Sequence, residues 1–132
     1  MIQTFKEFLQ KNKTNFKKII VEIKVYDPLF AEEQTLKAIN DVLEEKMEDQ
    51  VIFISYDRIA NYIIGSHKKI VGGRDSYSDK ETSLISQFPH QYYLINKDIL
   101  ELTNVQQAEA MNKKLIVYTV DTVKDRKYVR DL

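Results

Sequence analysis

The segment Ile19-Ile20-Val21-Glu22-Ile23-Lys24 constrains this chain more than any other. Successive side chains of a strand alternate faces, so Ile19, Val21 and Ile23 point one way and Ile20, Glu22 and Lys24 the other. Burying an unpaired charge is costly. A strand that aims a carboxylate and an ammonium at one side therefore has two readings. It is an edge strand with a wet face, or its C-terminal end carries a site, where α/β proteins place their chemistry. The residues leave both open.

Around that segment the periodicity alternates between helix and strand. Thr4-x-x-Glu7 has the form of a capping box, before an apolar helix face of Ile2, Phe5, Phe8 and Leu9. Residues 18–24 read as a strand. Residues 32–47 read as a long helix with Leu36, Ile39, Val42, Leu43 and Met47 on one side. A continuously apolar strand over 51–55 follows. Asp57 then caps a helix carrying Ile59, Tyr62 and Ile63, with Gly65 as its stop signal. Residues 69–72 form a weaker strand that ends in Gly72-Gly73. Ser78-x-x-Glu81 precedes a helix with Leu84, Ile85 and Phe88. Residues 91–95 form a strand in which Tyr92 and Tyr93 face opposite ways. Thr103-x-x-Gln106 caps a helix with Val105, Ala108 and Met111 inward. A strand over 115–120 and a helix from Thr122, with Val123, Tyr128 and Val129 packed, complete the series.

One helix followed by five strand–helix units argues for a parallel sheet covered by helices. At 132 residues and 43% hydrophobic content, one α/β domain over 1–132 with its own core is expected. Two architectures fit: an open, doubly wound five-stranded sheet, or part of an eight-stranded (β/α)8 barrel. Pattern alone favours the open sheet, because a partial barrel leaves two exposed edges.

Composition removes several function classes. The 20 basic and 20 acidic side chains cancel, so no nucleic-acid partner is expected. Cysteine is absent, which excludes disulfides and thiolate metal sites. No apolar run approaches the roughly 20 residues of a membrane span. Residues 1–13 hold no continuous apolar stretch of the kind that marks a secretory signal, so a cytoplasmic location is the default expectation.

Four stretches resemble the glycerophosphodiester phosphodiesterase family, whose fold is a (β/α)8 TIM barrel. Val21-Glu22-Ile23-Lys24 is similar to that family's Glu-x-Lys strand. Val51-Ile52-Phe53-Ile54-Ser55-Tyr56-Asp57 is similar to its next strand, with Tyr for the usual Phe. Residues 104–121, ending in Ile116-Val117-Tyr118-Thr119-Val120-Asp121, resemble a later helix and strand, with Tyr for Trp and Asp for Asn. Thr4-Phe5-Lys6-Glu7-Phe8-Leu9 is similar to the helix before the Glu-Lys strand. Order and spacing agree across nearly the whole chain. The resemblance covers strands three to seven of eight.

The resemblance implies hydrolysis of glycerophosphodiesters to an alcohol and glycerol 3-phosphate, in glycerophospholipid metabolism. It implies a divalent cation, Mg²⁺ or Ca²⁺, in the complete barrel. Glu22 would be a metal ligand, Lys24 would contact the phosphate, and Tyr118 would line the glycerol end of the pocket. The residue types suit that chemistry: hard cations take oxygen ligands, and a lysine stabilises phosphoryl charge. Ser55 and Thr119 match as scaffold.

The family's two catalytic histidines lie in strands without a counterpart here, so no catalytic residue is assigned. His67 and His90 both precede strands, on the stability face of a barrel. The 132 residues by themselves are expected neither to hold the cation nor to turn over substrate. Self-association through open sheet edges is a further expectation.

Two other readings stay open: a non-catalytic α/β interaction module, and a flavodoxin-like binder of small molecules. Gly72-Gly73-Arg74 reads as a plain turn before it reads as a phosphate cradle. Asp121 reads as a cap beside Thr122. Asp75, Asp79 and Glu81 lack calcium-loop spacing.

Overall fold

The structure, a computed structural model, describes residues 2–75, 89–118 and 120–131. The Ser78-x-x-Glu81 box, Asp79, the helix expected around Leu84, Ile85 and Phe88, and Thr119 lie outside those residues. The chain divides into two compact units, Met1–Gly72 and Gly73–Leu132.

The first unit holds α1 (Phe5–Asn12), β1 (Ile19–Ile23), a 3₁₀ turn (Pro28–Phe30), α2 (Ala31–Glu44), β2 (Val51–Ser55) and α3 (Arg58–Ser66). It ends within β3 (Val71–Asp75). β1 runs parallel to β2 with Ile19 opposite Val51 and Ile23 opposite Ser55. β2 runs parallel to β3 with Phe53 opposite Gly72. That register stacks Val21 on Phe53 and Ile19 on Val51, and this face packs with Leu9, Ile39, Val42, Ala60 and Ile64. All five residues of β2 are buried, as in an interior strand of a parallel sheet.

Local chemistry sets the helix ends. Thr4 Oγ1 accepts the Glu7 N–H at 3.1 Å and Asp57 Oδ1 accepts the Ala60 N–H at 2.9 Å, as the caps read from sequence require. α2 ends in a Schellman motif: Met47 N–H reaches Val42 C=O at 3.0 Å and Lys46 N–H reaches Leu43 C=O at 3.1 Å. The residue between, Lys46, is left-handed at φ 55° without being glycine. Met47 is buried by that turn, beyond the helix end at Glu44.

Several sequence expectations are corrected here. Ile2 is almost fully exposed and takes no part in the α1 face. On α3 the buried pair is Ala60 and Ile64, whereas Ile59 and Tyr62 face solvent. A short alanine lets that stripe approach the sheet closely, and the bulkier neighbours are turned out. Leu36 is likewise exposed. Gly65 lies within the last turn of α3 and does not end it. Gly72-Gly73 is no turn: both lie inside β3, with Gly72 opposite the buried Phe53.

The second unit holds the end of β3, β4 (Tyr92–Asn96), a 3₁₀ turn (Lys97–Ile99), α4 (Leu102–Ala110), β5 (Lys114–Tyr118) and α5 (Val123–Asp131). Its core is Tyr93, Ile95 and Leu100, packed by Val105, Leu115, Val117 and Val129. α4 starts one residue before Thr103, because Asn104 Oδ1 accepts the Glu101 N–H at 2.6 Å and closes the first turn. Met111 is the exposed C-cap of that helix, and Val123 is exposed on α5. Tyr128 is half exposed, with its hydroxyl donating to Leu100 C=O at 2.9 Å.

Within each unit the strands pair in chain order, β1-β2-β3 and then β3-β4-β5, all parallel. A doubly wound sheet needs a reversal of order at a switch point. None occurs among the described strands. Right-handed crossovers that always advance in one direction keep the helices on one face. This is the winding of a (β/α) barrel, so the fold is α/β and partially TIM-barrel-like, and the open doubly wound alternative falls.

Two measurements check these local claims. Lys46→Gly should raise unfolding free energy by roughly 1 kcal/mol in urea titration, because a left-handed residue with a Cβ is penalised. The second concerns Lys97 and Asp125, paired at 2.6 Å with about a quarter of each side chain exposed. The hydrogen bond from Lys97 holds the Asp125 carboxyl below its ordinary range, and the same bond raises Lys97. The Asp125 contribution is therefore present above the ordinary carboxylate pKa and lost as pH falls through the lowered one. The Lys97 contribution is present below the ordinary ammonium pKa and lost as pH rises through the raised one. Asp125→Asn should lower stability near neutrality and flatten the acid limb of the urea midpoint between about pH 2 and pH 6.

Candidate functional site

β1 obeys the alternation that its sequence demands. Ile23 is buried and Val21 half-buried on the helix-packed face, while Ile20, Glu22 and Lys24 occupy the opposite, open face. Lys24 Nζ lies 4.0 Å from Glu22 Oε2, and the carboxylate is the less exposed of the two. A hollow of about 420 Å³ opens at the C-terminal ends of β1 and β2, lined by Glu22, Ile23, Lys24, Val25, Tyr56 and Asp57. The structure thus brings Glu22 and Lys24 to one opening, at the strand ends where barrel chemistry sits.

Ser55 builds the wall of that opening. Its hydroxyl donates to Ile23 C=O at 2.6 Å and accepts the Asp57 N–H at 3.1 Å, clamping the ends of the two strands together. Asp57 is committed to the cap of α3 through Oδ1.

β1 is also an edge. Ile19 N–H donates to Gln50 C=O at 2.7 Å and Ile23 C=O accepts from Ser55, so the odd-numbered residues aim their backbone groups at β2. The N–H and C=O of Ile20 and Glu22 therefore point to the open side. The Lys24 carbonyl there is taken by Gln34 Nε2 at 2.9 Å. A groove of about 500 Å³ runs along this edge between Phe5 and Lys6 of α1 and Gln34, Ala38 and Asp41 of α2. Gln34 stands in no sequence motif, and Tyr56 enters only as the Tyr-for-Phe position after β2, with no role at the opening.

Tyr118 ends β5 in the second unit, opposite Asn96 and half-buried. It lies on the face away from the core residues Leu115 and Val117, as alternation requires. The histidines stand before strands, as expected. His67 Nδ1 accepts the Lys69 N–H at 3.2 Å. His90 is buried, and its carbonyl accepts from Lys113 Nζ at 2.6 Å. Burial lowers the Lys113 ammonium pKa.

A hard divalent cation takes six or more oxygen ligands, several of them carboxylates. Here Glu22 has an ammonium within 4.0 Å and Asp57 serves a helix cap. Among the described residues no group of three or more His, Cys, Asp or Glu is placed to hold a metal ion. These residues do not by themselves make a cation site. Among the described residues, no helix is long and apolar enough to cross a membrane.

No protein-family model and no curated protein matches the sequence. Solved structures do match the fold. A glycerophosphodiester phosphodiesterase from Parabacteroides distasonis superposes with a TM-score of 0.76 at 19% identity, covering 96% of this chain and 55% of the other. An Oleispira antarctica phosphodiesterase, solved with the product sn-glycerol-3-phosphate, gives 0.80 at 13% identity, covering 98% and 54%. A Silicibacter pomeroyi protein named for glycerophosphoryl diester hydrolysis gives 0.82 at 14%, covering 96% and 49%. The chain has the fold of about half of such a barrel. It spans about half the length of the structures it matches.

The clamp and the open face separate in a stability measurement. Ser55→Ala should cost about 1–2 kcal/mol in urea unfolding, since it strips one buried and one part-buried hydrogen bond. Glu22→Gln should stay within about 0.5 kcal/mol, as an open-face substitution does. A loss above about 1 kcal/mol for Glu22→Gln would make the carboxylate a structural residue.

Proposed function

We propose that this chain supplies one part of a glycerophosphodiester phosphodiesterase site, the part that binds the phosphodiester. The observation that carries the reading is the pair Glu22 and Lys24. It stands on the open face of β1 at a hollow on the C-terminal strand ends. The fold is that of about half a phosphodiesterase barrel. In this reading Lys24 contacts the phosphoryl oxygens and offsets their charge. Glu22 contributes one carboxylate to a Mg²⁺ or Ca²⁺ site whose other ligands come from further strands. Tyr118 lines the glycerol end. The acid and base that would cleave the P–O bond are not among the described side chains near Glu22, and the 132-residue polypeptide alone should be silent.

The remaining strands would pair onto β1. Its open-side backbone groups at Ile20 and Glu22 and the groove beneath α1 support that geometry. The same edge supports the second reading, a non-catalytic interaction module that associates with itself through β1. The two differ in what completes the edge.

The test is complementation. The 132-residue polypeptide is co-produced with the half-barrel missing from it, taken from a structural neighbour. Release of glycerol 3-phosphate from glycerophosphocholine is measured with Mg²⁺ or Ca²⁺. The complemented pair should hydrolyse the substrate, and the polypeptide alone should not. Lys24→Met and Glu22→Gln should each lower kcat/KM by about a hundredfold or more, the usual cost of removing one such charge-stabilising group. An active pair indifferent to both substitutions would sink the assignment, as would an inactive pair. A self-associated, inert polypeptide would favour the module.

A further inference from the structure

Two consecutive carbonyls at the end of β1 accept hydrogen bonds from side chains. The Ile23 carbonyl accepts from the Ser55 hydroxyl at 2.6 Å, and the Lys24 carbonyl accepts from Gln34 Nε2 at 2.9 Å. The ladder of β1 with β2 ends where Ile23 stands opposite Ser55, so Lys24 lies just beyond it. A peptide unit is planar. The plane before Lys24 contains the Ile23 carbonyl, and the plane after it contains the Lys24 carbonyl. Lys24 thus has both neighbouring planes pinned, one from β2 and one from α2. Ile23 is buried and Val25 packs on the core, which fixes the path of the chain on either side. The motion left to such a segment is rotation of each plane about the line joining its two Cα atoms. Rotating either plane turns the Cα–Cβ bond of Lys24 with it, and the long stem carries that error out to the ammonium. The two hydrogen bonds oppose both rotations.

We infer that Gln34 is a positioning residue for Lys24, acting through the backbone of the site lysine. Gln34 comes to this place because its neighbours on α2 are buried. Ala31, Thr35 and Ile39 recur every four residues and are all buried, and Thr35 Oγ1 donates to the Ala31 carbonyl at 2.7 Å. That stripe sets the rotation of the helix and leaves Gln34 and Ala38 beside it, on the wall of the groove along β1. A glutamine suits the task. It is neutral and its amide donates, whereas the carboxylates of Glu32 and Glu33 just before it only accept. The bond also takes the Lys24 carbonyl away from any strand arriving on the open edge, so Lys24 stays free of backbone pairing there. The role of Lys24 toward a phosphodiester rests on the function proposed above. The hold of Gln34 on Lys24 does not.

The Val25 N–H lies in the plane that Gln34 holds, and the Lys24 N–H in the plane that Ser55 holds. Backbone nitrogen relaxation of the full 132-residue chain therefore reads the two separately. Gln34→Met keeps the length and helix preference of the side chain and removes the donor. In this variant the Val25 order parameter should fall from the rigid level of about 0.85 toward the flexible level of about 0.6. The amides of Lys24, Val21 and Ile39 should keep their wild-type values. A Val25 amide that stays rigid overturns the inference. A loss spread over β1 and α2 overturns it too, since Gln34 would then be a general structural residue. The second readout is a double-mutant cycle on hydrolysis by the complemented pair. Gln34→Met should lower kcat/KM by about tenfold where Lys24 is present, as a misplaced site group does. In the Lys24→Met background it should change kcat/KM by less than about twofold. Equal losses in both backgrounds overturn the positioning of Lys24. A pair that is inactive with both residues intact sinks the phosphodiesterase reading, and the Val25 amide then decides alone whether Gln34 holds Lys24.

Discussion

The rest of the structure depends on how β1 is shared between two faces. Its odd residues must lie under the helices, because Val21 and Ile23 join Phe53, Ile39 and Val42 in the core. Alternation then forces Glu22 and Lys24 onto the other face, whatever their function. Their charges stay hydrated there, so the strand can keep them at little cost in stability. The Ser55 clamp to Ile23 C=O holds the end of the strand in place. The open-face residues Glu22 and Lys24 are thus positioned by burial of their neighbours in sequence.

Winding follows from the same economy of contacts. Each strand pairs with the next in the chain within its unit, so the order of the described strands advances the same way. The unpaired side of β1 is the consequence. Unlike most exposed edges, it carries no proline, bulge or covering strand among the described residues. Among the described residues, Gln34 reaches it, at the Lys24 carbonyl. The chain also spans about half the length of the phosphodiesterase structures it matches.

The legible and illegible parts of the fold divide by range. Caps that act within one turn were readable at Thr4 and Asp57. The cap at Asn104 was hidden, since Thr103-x-x-Gln106 offers the commoner pattern one register away and a buried asparagine won. Gly72-Gly73 carried the signature of a turn, yet pairing with β2 and β4 makes it strand. On α3 bulk does not mark burial, since Ile59 and Tyr62 are exposed. Close packing on the sheet selects Ala60 over Ile59. In the candidate site, Glu22 and Lys24 were readable from alternation and from resemblance. That Tyr56 and Lys24 line one hollow, and that Gln34 reaches the Lys24 carbonyl, was not, because both depend on which elements become neighbours.

By itself, the sequence determined the alternation of strands and helices, the face on which each strand residue falls, and the placement of a carboxylate and an ammonium at one strand end. These follow from the two-residue and 3.6-residue periods of the backbone, which need no partner. Tertiary structure alone decided that the described strands pair in chain order, that β1 is an edge among them, and that Tyr26 and Leu29 are exposed. Those outcomes turn on contacts between residues some thirty positions apart, such as Ser55 with Ile23, and no local period encodes them.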